Sequence, residues 1–365
     1  MKVALVYDRV NKWGGAERVL LALHEIFPDA PLYTSVYNSK TAPWAKVFPK
    51  IYTSFLQKIP FVKSSHELLG WLMPLAFESF STIGGPAPGW DEYDLVISVT
   101  SEAAKGIITK PDTRHICYCL TPTRYLWSHY DLYFKNKIFR FLTKLFINYL
   151  RNWDKIAAQR PDEIMAISVE VQKRIKKYYK RDSEIIFPPV DLIKYQTSDI
   201  RHQTSGYYLV VSRLVLYKRV DLVIEVFNQL KWPLVIVGTG SEERKLKKAA
   251  HGNVKFTGFV SEDELAKYYW NAKALIMPQE EDFGIVSVEA QAAGVPVIAY
   301  KKGGALETVV ESSTGVYFDK QTPESLINAL KKFDKMAFNP GELIHYAKNF
   351  SKERFKREFV KLINE

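Results

Sequence analysis

The sequence predicts an α/β fold made of two doubly wound parallel sheets, and three observations carry that prediction. Short β-rich runs alternate with helical patterns from one end of the chain to the other. The runs are continuously apolar instead of alternating, as strands are when helices cover both faces of their sheet. With 365 residues the chain exceeds what one core usually supports, so two domains are expected. Hydrophobic residues make up 47% and charged residues 25%, a balance that excludes a disordered or fibrous chain.

In the first half the strands read KVALVY, DLVISV, RHICYC, EIMAIS and EIIFPP; in the second they read YYLVVS, PLVIVG, VKFTGF, ALIMP and VPVIAY. The seam falls after Pro188 and Pro189, where VDLIKYQTSDIRHQTSG is polar and weakly periodic. The expected division is a first domain over 1–190, a linker over 191–206, a second domain over 207–345 and a terminal helix over 346–365. That helix shows apolar residues on one face and is placed to pack back on the first domain.

Cys117 and Cys119 stand two apart in one strand, on one face, where disulfide geometry is poor; they read as buried thiols in a reducing compartment. Metal-ligand spacing is absent, so no metal and no cofactor are expected. Neither a secretory signal nor a membrane span is expected, because the N-terminal apolar run is too short and the stretch 68–76 is broken by Pro74. The formal net charge is +11, and residues 135–181 alone hold 13 Lys and Arg against 4 Asp and Glu. Such a patch suits nucleic acid, anionic lipid or an anionic substrate.

The stretch MPQEEDFGIVSVEAQAAGVPVIAY (277–300) reads as the end of a strand, a turn, a helix and a further strand, with acids at Glu280, Glu281, Asp282 and Glu289. Ligands of open α/β sheets bind where strands end, and a helix N-terminus favours anions, so this unit offers N–H groups to phosphate and carboxylates to hydroxyls. A nucleotide sugar carries both. Dipole partners and a solvated helix residue are the plain alternative. Arg213 and Lys218, in VVSRLVLYKRVDL, follow the first strand of the second half and reach the same sheet edge, where they can meet a diphosphate. In DRVNKWGGAERVL, Gly14 and Gly15 open a helix and allow close backbone approach. GTGSE lacks the third glycine of a dinucleotide fingerprint.

VSRLVLYKRVDL, VGTGSEERKL, VKFTGFV, EEDFGIVSVEAQAAGVPVIAYKKGGALETV and TGVYF, in this order, resemble the C-terminal half of glycosyltransferase family 4, retaining enzymes of the GT-B fold with two Rossmann-like domains facing a cleft. HICYCLTPTRYLWSHY and IIFPPVD are similar to the branch of mannosyltransferases that build bacterial O-antigen and related polysaccharides. The resemblance implies catalytic roles for Arg213 and Lys218 at the leaving diphosphate and for Glu281 near the donor sugar, with Glu289 on the ribose. It implies donor contacts by Phe283, Gly284 and Ile285 and by Gly14 and Gly15. The segment with Gly258 and Val260 frames the base, and Arg124, Tyr125 and Trp127 are acceptor-side candidates.

Two positions depart from the family pattern. Leu120 stands where His is usual, which leaves open a catalytically impaired nucleotide-sugar-binding or scaffold subunit, and Ser287 stands where Pro is common, a change expected to be mild. A helix drawn through 136–160 puts Arg140, Lys144, Arg151 and Lys155 on one face and Ile138, Leu142, Leu145, Tyr149 and Trp153 on another. It is either packed in the core with a solvated rim or lies on anionic lipid, beside a polyprenyl-diphosphate-linked acceptor. No nucleic-acid module motif occurs, so nucleic acid is set aside. The expectation is a cytoplasmic hexosyltransferase, peripheral on the inner face of the plasma membrane. It moves mannose from GDP-mannose to a lipid-linked or polysaccharide glycan.

Overall fold

In the computed structural model the residues described are 1–60, 66–81, 92–134, 136–196 and 206–365. Two compact units result: Met1–Phe187 with Glu358–Glu365, and Pro188–Arg357. Of the stretch read as a linker, 197–205 lies outside the described residues, whereas Leu192–Tyr195 forms a short 3-10 turn with Tyr195 buried.

The first unit holds a seven-stranded sheet of β1 (Val3–Tyr7), β2 (Leu32–Thr34), β3 (Ile51–Thr53), β4 (Leu95–Thr100), β5 (Arg114–Cys119), β6 (Glu163–Ala166) and β7 (Glu184–Ile185), in the order β3-β2-β1-β4-β5-β6-β7. Every pairing is parallel, so all strands end at one edge. β1 and β4 are buried along their length, as continuous apolar runs require. Three-residue β2 and β3 were not expected; LYT and IYT are too short to show a period. Cys117 and Cys119 are buried and unpaired, and burial pushes the Cys117 thiol up to about 11.

The second unit holds β8 (Tyr207–Val211), β9 (Leu234–Val237), β10 (Val254–Gly258), β11 (Ala272–Met277), β12 (Val297–Tyr300) and β13 (Gly315–Phe318), in the order β10-β9-β8-β11-β12-β13, again all parallel. Its core joins Val210, Ile236 and Ile276 of the sheet to Leu222, Val226 and Phe227 of the helix Val220–Leu230. The terminal helix is shorter than expected, Lys352–Asn364, and follows a separate helix Pro340–Ala347. Phe359 packs on Tyr118, and the Arg114 guanidinium donates to the carbonyls of Leu362 and Ile363 at 3.0 Å. That places a cation on the last carbonyls of a helix, where the dipole favours it.

His115 on β5 is fully buried, with Nε2 2.9 Å from the Ser98 hydroxyl, and burial lowers its imidazole from 6.5 to about 4. A lowered histidine stabilises the fold above the unfolded-state value, and that contribution is lost as pH falls from about 6.5 toward about 4. The expected loss is on the order of 3 kcal/mol. Urea denaturation at pH 7 and pH 4.5 measures it, and equal midpoints would contradict it.

Candidate functional site

In each unit the sheet order reverses at one place, between β1 and β4 and between β8 and β11. The crevice outside the strand ends at such a switch point is where open α/β sheets bind ligands. Both hold an ion pair.

In the second unit the segment after β8 turns through a 3-10 helix, Leu216–Lys218, and Arg219, at φ 50°, redirects the chain into the helix Val220–Leu230. This puts Lys218, only 8% exposed, at the switch point. Its Nζ pairs with Oε1 of Glu281, which leaves β11. Gln279 donates to the same oxygen at 2.6 Å. Among the described residues Oε2 of Glu281 takes no hydrogen bond, and the buried Oε1 of Gln279 has no partner. A cation, a carboxylate oxygen and an amide oxygen thus converge with acceptors to spare, an arrangement that fits a ligand with both phosphate and hydroxyls.

Gly284, at φ 95°, caps the helix Ile285–Ala292, as the sequence expects of a turn that must aim N–H groups outward. The segment after β12 holds this turn in place: Gly304 donates to the Glu281 carbonyl at 2.8 Å, and a Cβ on Gly304 would stand 2.3 Å from the Phe283 carbonyl. Sequence reading missed the part played by Gly303 and Gly304; paired glycines after a strand are the signal. Ser287 is fully buried, its hydroxyl 2.6 Å from the Gly284 carbonyl and 2.7 Å from Thr308 Oγ1, so a serine here braces the turn. Phe283 is buried with its ring against Phe350.

The structure separates other expected residues. Arg213 is exposed on the same segment as Lys218 and donates to the Tyr217 hydroxyl at 2.7 Å. Gly258 ends β10, with its carbonyl accepting from Gly238 at 2.9 Å, and Val260 follows the strand. Glu289 faces inward, 2% exposed, with its oxygens taken by Tyr195 at 3.0 Å and Tyr269 at 2.8 Å. The fifth residue of this helix faces the buried tyrosines, so the carboxylate ties three segments together instead of lying open to a ribose. Glu289→Ala strands two buried hydroxyls and is expected to remove about 2–4 kcal/mol of stability. Thermal unfolding checks this; an unshifted midpoint with lost nucleotide affinity would restore the ribose role.

In the first unit Asp8, just past β1, accepts from Thr100 Oγ1 at 2.9 Å and from the backbone N–H groups of Ser101, Ala103 and Ala104 at 2.7–2.8 Å. This fixes the turn after β4, and Glu102 there pairs with Arg9. Sequence reading missed all three; charged residues directly after β1 and β4 are the trace they leave. Gly14 caps the helix Gly15–Ile26, whose buried Glu17 accepts from Tyr7 at 2.7 Å and anchors the glycine turn. Leu120 follows β5 at the strand-end edge. Of the acceptor-side candidates, Tyr125 donates to Glu102 at 3.0 Å and Trp127 to Asp154 at 2.7 Å; Arg124 is half-buried.

Lys135 lies outside the described residues, but the helix Lys137–Ala157 settles which face is buried. The core side is Ile147, Leu150, Asp154 and Ala157, whereas Ile138, Leu142, Leu145 and Tyr149 are exposed, Leu145 to 86%. The core-packed alternative is thereby corrected: a deeply buried pair, Lys105 with Asp154 at 2.6 Å, sits on the helix side assumed polar. Trp153 is half-buried and donates to Glu78 at 2.8 Å. Arg140 and Arg151 lean on the Tyr130 ring at 4.9 and 4.5 Å.

Residues 196–352 match the family described as Glycosyl transferases group 1. A GDP-mannose-dependent alpha-(1-6)-phosphatidylinositol monomannoside mannosyltransferase of Mycobacterium tuberculosis is 37% identical over 138 residues, 33% of this chain and 36% of that protein. Across the first curated relatives the match spans 33% to 50% of their length. The Anabaena protein HepE in complex with UDP superposes with a TM-score of 0.72 at 19% identity, covering 100% of both chains. A sucrose-phosphate synthase from Thermosynechococcus elongatus gives 0.72 at 17%, covering 100% of this chain and 98% of that one. By fold the chain is GT-B, two Rossmann-like units, and its residues 196–352 match the model of the group 1 glycosyl transferases.

Proposed function

We propose that the protein is a retaining hexosyltransferase that moves mannose from GDP-mannose to a lipid-linked or polysaccharide acceptor in cell-surface glycan synthesis, as in the O-antigen branch of family 4. The observation that carries this reading is the convergence of Lys218, Gln279 and Glu281 at the switch point of a unit matched to glycosyl transferases. Mannose rests on the mycobacterial relative, which is named for GDP-mannose.

In this reading Lys218, Arg213 and the N–H groups after Gly284 stabilise the charge that develops on the leaving diphosphate, the main demand of glycosyl transfer. Glu281 accepts a hydroxyl of the sugar on its free oxygen. The leaving phosphate takes the acceptor's proton, so no enzymic nucleophile is needed. Lysine and arginine supply the charge that a divalent ion supplies elsewhere, and transfer proceeds without metal.

Among the described residues no helix is long and apolar enough to cross a membrane. The exposed residues Ile138, Leu142 and Leu145 beside Arg140 and Lys144 support a surface lying on anionic lipid at the cytoplasmic face. Leu120 supports a second reading, a subunit that binds a nucleotide sugar without turnover, because leucine neither donates nor accepts a proton. Incubation with labelled GDP-mannose, UDP-glucose and UDP-galactose and a prenyl-diphosphate-linked glycan, with and without EDTA, tests both. Transfer from GDP-mannose in EDTA is expected. Binding without transfer would establish the second reading, and transfer that requires added magnesium or manganese would contradict the metal-free account.

A further inference from the structure

A cavity of about 380 Å³ lies in the first unit between the end of the helix Lys137–Ala157 and the end of the helix Val169–Tyr179. That volume is in the range of roughly 300–1,000 Å³ usual for small-molecule sites. Its lining includes Lys155, Lys177 and Lys180, together with Trp127, Tyr178 and Ile156. The two aromatic rings are stacked, with centroids 5.1 Å apart and planes at 24°. Lys155 lies over the Trp127 ring at 5.5 Å and Lys177 over the Tyr178 ring at 5.2 Å.

The walls are braced without using the ammonium groups. Gln159 donates to the carbonyls of Lys155 and Tyr179 at 3.2 and 3.0 Å. Arg181 donates to the carbonyls of Ala158, Pro161 and Asp162, and the Trp127 indole is fixed on Asp154. Asp154 itself is fully engaged by Lys105, Thr123 and Tyr179. Lys180 ends its helix in the left-handed conformation at φ 57°, a position that glycine or asparagine usually takes. Among the described residues no carboxylate pairs with Lys155, Lys177 or Lys180. Three like charges gathered around a preformed hollow repel one another unless an anion joins them.

We propose that this cavity binds the headgroup phosphate of an anionic membrane lipid. Lysine takes phosphate as a point charge from several directions, which suits a group free to rotate. The lipid source follows from Ile156. With Ile138, Leu142, Leu145 and Tyr149 it continues one exposed apolar stripe at helical spacing, so the cavity lies where the stripe ends. A bilayer surface meeting the stripe would bring headgroups to the lysines. This deepens the membrane part of the proposed function and is independent of the donor site.

The test uses the full chain and vesicles of phosphatidylcholine with or without phosphatidylglycerol. Lys155→Gln/Lys177→Gln/Lys180→Gln is compared with a variant of equal charge loss at exposed lysines elsewhere in the unit, Lys40→Gln/Lys46→Gln/Lys58→Gln. The first is expected to lose about tenfold or more in binding to phosphatidylglycerol vesicles, the second no more than about twofold. In parallel, monomeric dihexanoyl phosphatidylglycerol and glycerol 3-phosphate are titrated against tryptophan emission, with Trp127→Phe as reporter control. Equal losses in the two triple variants would overturn the proposal in favour of diffuse charge. Saturation by glycerol 3-phosphate with vesicle binding unchanged in the first triple variant would overturn the lipid source. If the wild type ignores vesicles yet binds the short-chain lipid through the three lysines, the site stands and the membrane reading falls. Binding of neither lipid form ends both.

Discussion

Lys218→Ala is expected to lower hexosyl transfer by about 10²–10³-fold in kcat, the usual effect of removing one preorganised donor from developing charge. Lys218 is the buried cation at the switch point of the second unit, and its partner Glu281 is held in turn by Gln279 and by the backbone of Gly304. Arg213→Ala should lose less, because its guanidinium is exposed and rests on Tyr217, so solvent screens it. Steady-state kinetics separate kcat from KM, and thermal unfolding monitors the fold. A Lys218→Ala protein with unchanged kcat would reduce the ion pair to a brace for the loop.

The largest stability effect is expected at Lys105. Its ammonium, 2% exposed, donates to Asp154 and to the Glu102 carbonyl, and burial alone would drive it toward the neutral form. Asp154 outweighs that, and the lysine stays charged with its pKa raised. Lys105→Ala leaves a buried carboxylate with only neutral donors from Trp127, Thr123 and Tyr179. The expected loss is about 3–5 kcal/mol. Lys105→Met/Asp154→Asn should recover part of it, since asparagine removes the unpaired charge while its amide oxygen still accepts from the neighbouring donors. Denaturant unfolding of the two variants decides: a single variant within about 1 kcal/mol of wild type would mean the pair sits in a wetter place than 1% and 2% exposure imply.

What the sequence made legible was set by period and by punctuation. All but one of the strands of four or more residues with an apolar run were found, β13 being the one missed, and the turn 279–284 was read correctly because Gly284 and the flanking strand mark it. β2 and β3 escaped because three residues carry no period. At the site, Lys218 and Glu281 were placed at one sheet edge from strand ends alone, since parallel sheets bring all such ends to one edge; their ion pair was not foreseen. Asp8 and Glu102 were not, because their roles come from long-range hydrogen bonds that no local spacing encodes, and Gln279 was not, because its bond to Glu281 two residues on depends on how the turn folds. Glu289 and the helix Lys137–Ala157 show the other limit. A helical period says which residues share a face, but only tertiary packing says which face is buried, and here the buried side holds an ion pair while leucines face out.

The central claim is that the second unit's switch point holds a nucleoside diphosphate group. Calorimetric titration of GDP, UDP and ADP into the wild type and into Lys218→Ala, in EDTA, tests it most directly. GDP is expected to bind the wild type in preference to UDP and ADP, with affinity for the variant about tenfold weaker or worse, in line with loss of one charge-assisted contact. Binding of none of the three, or equal binding by the variant, would contradict it.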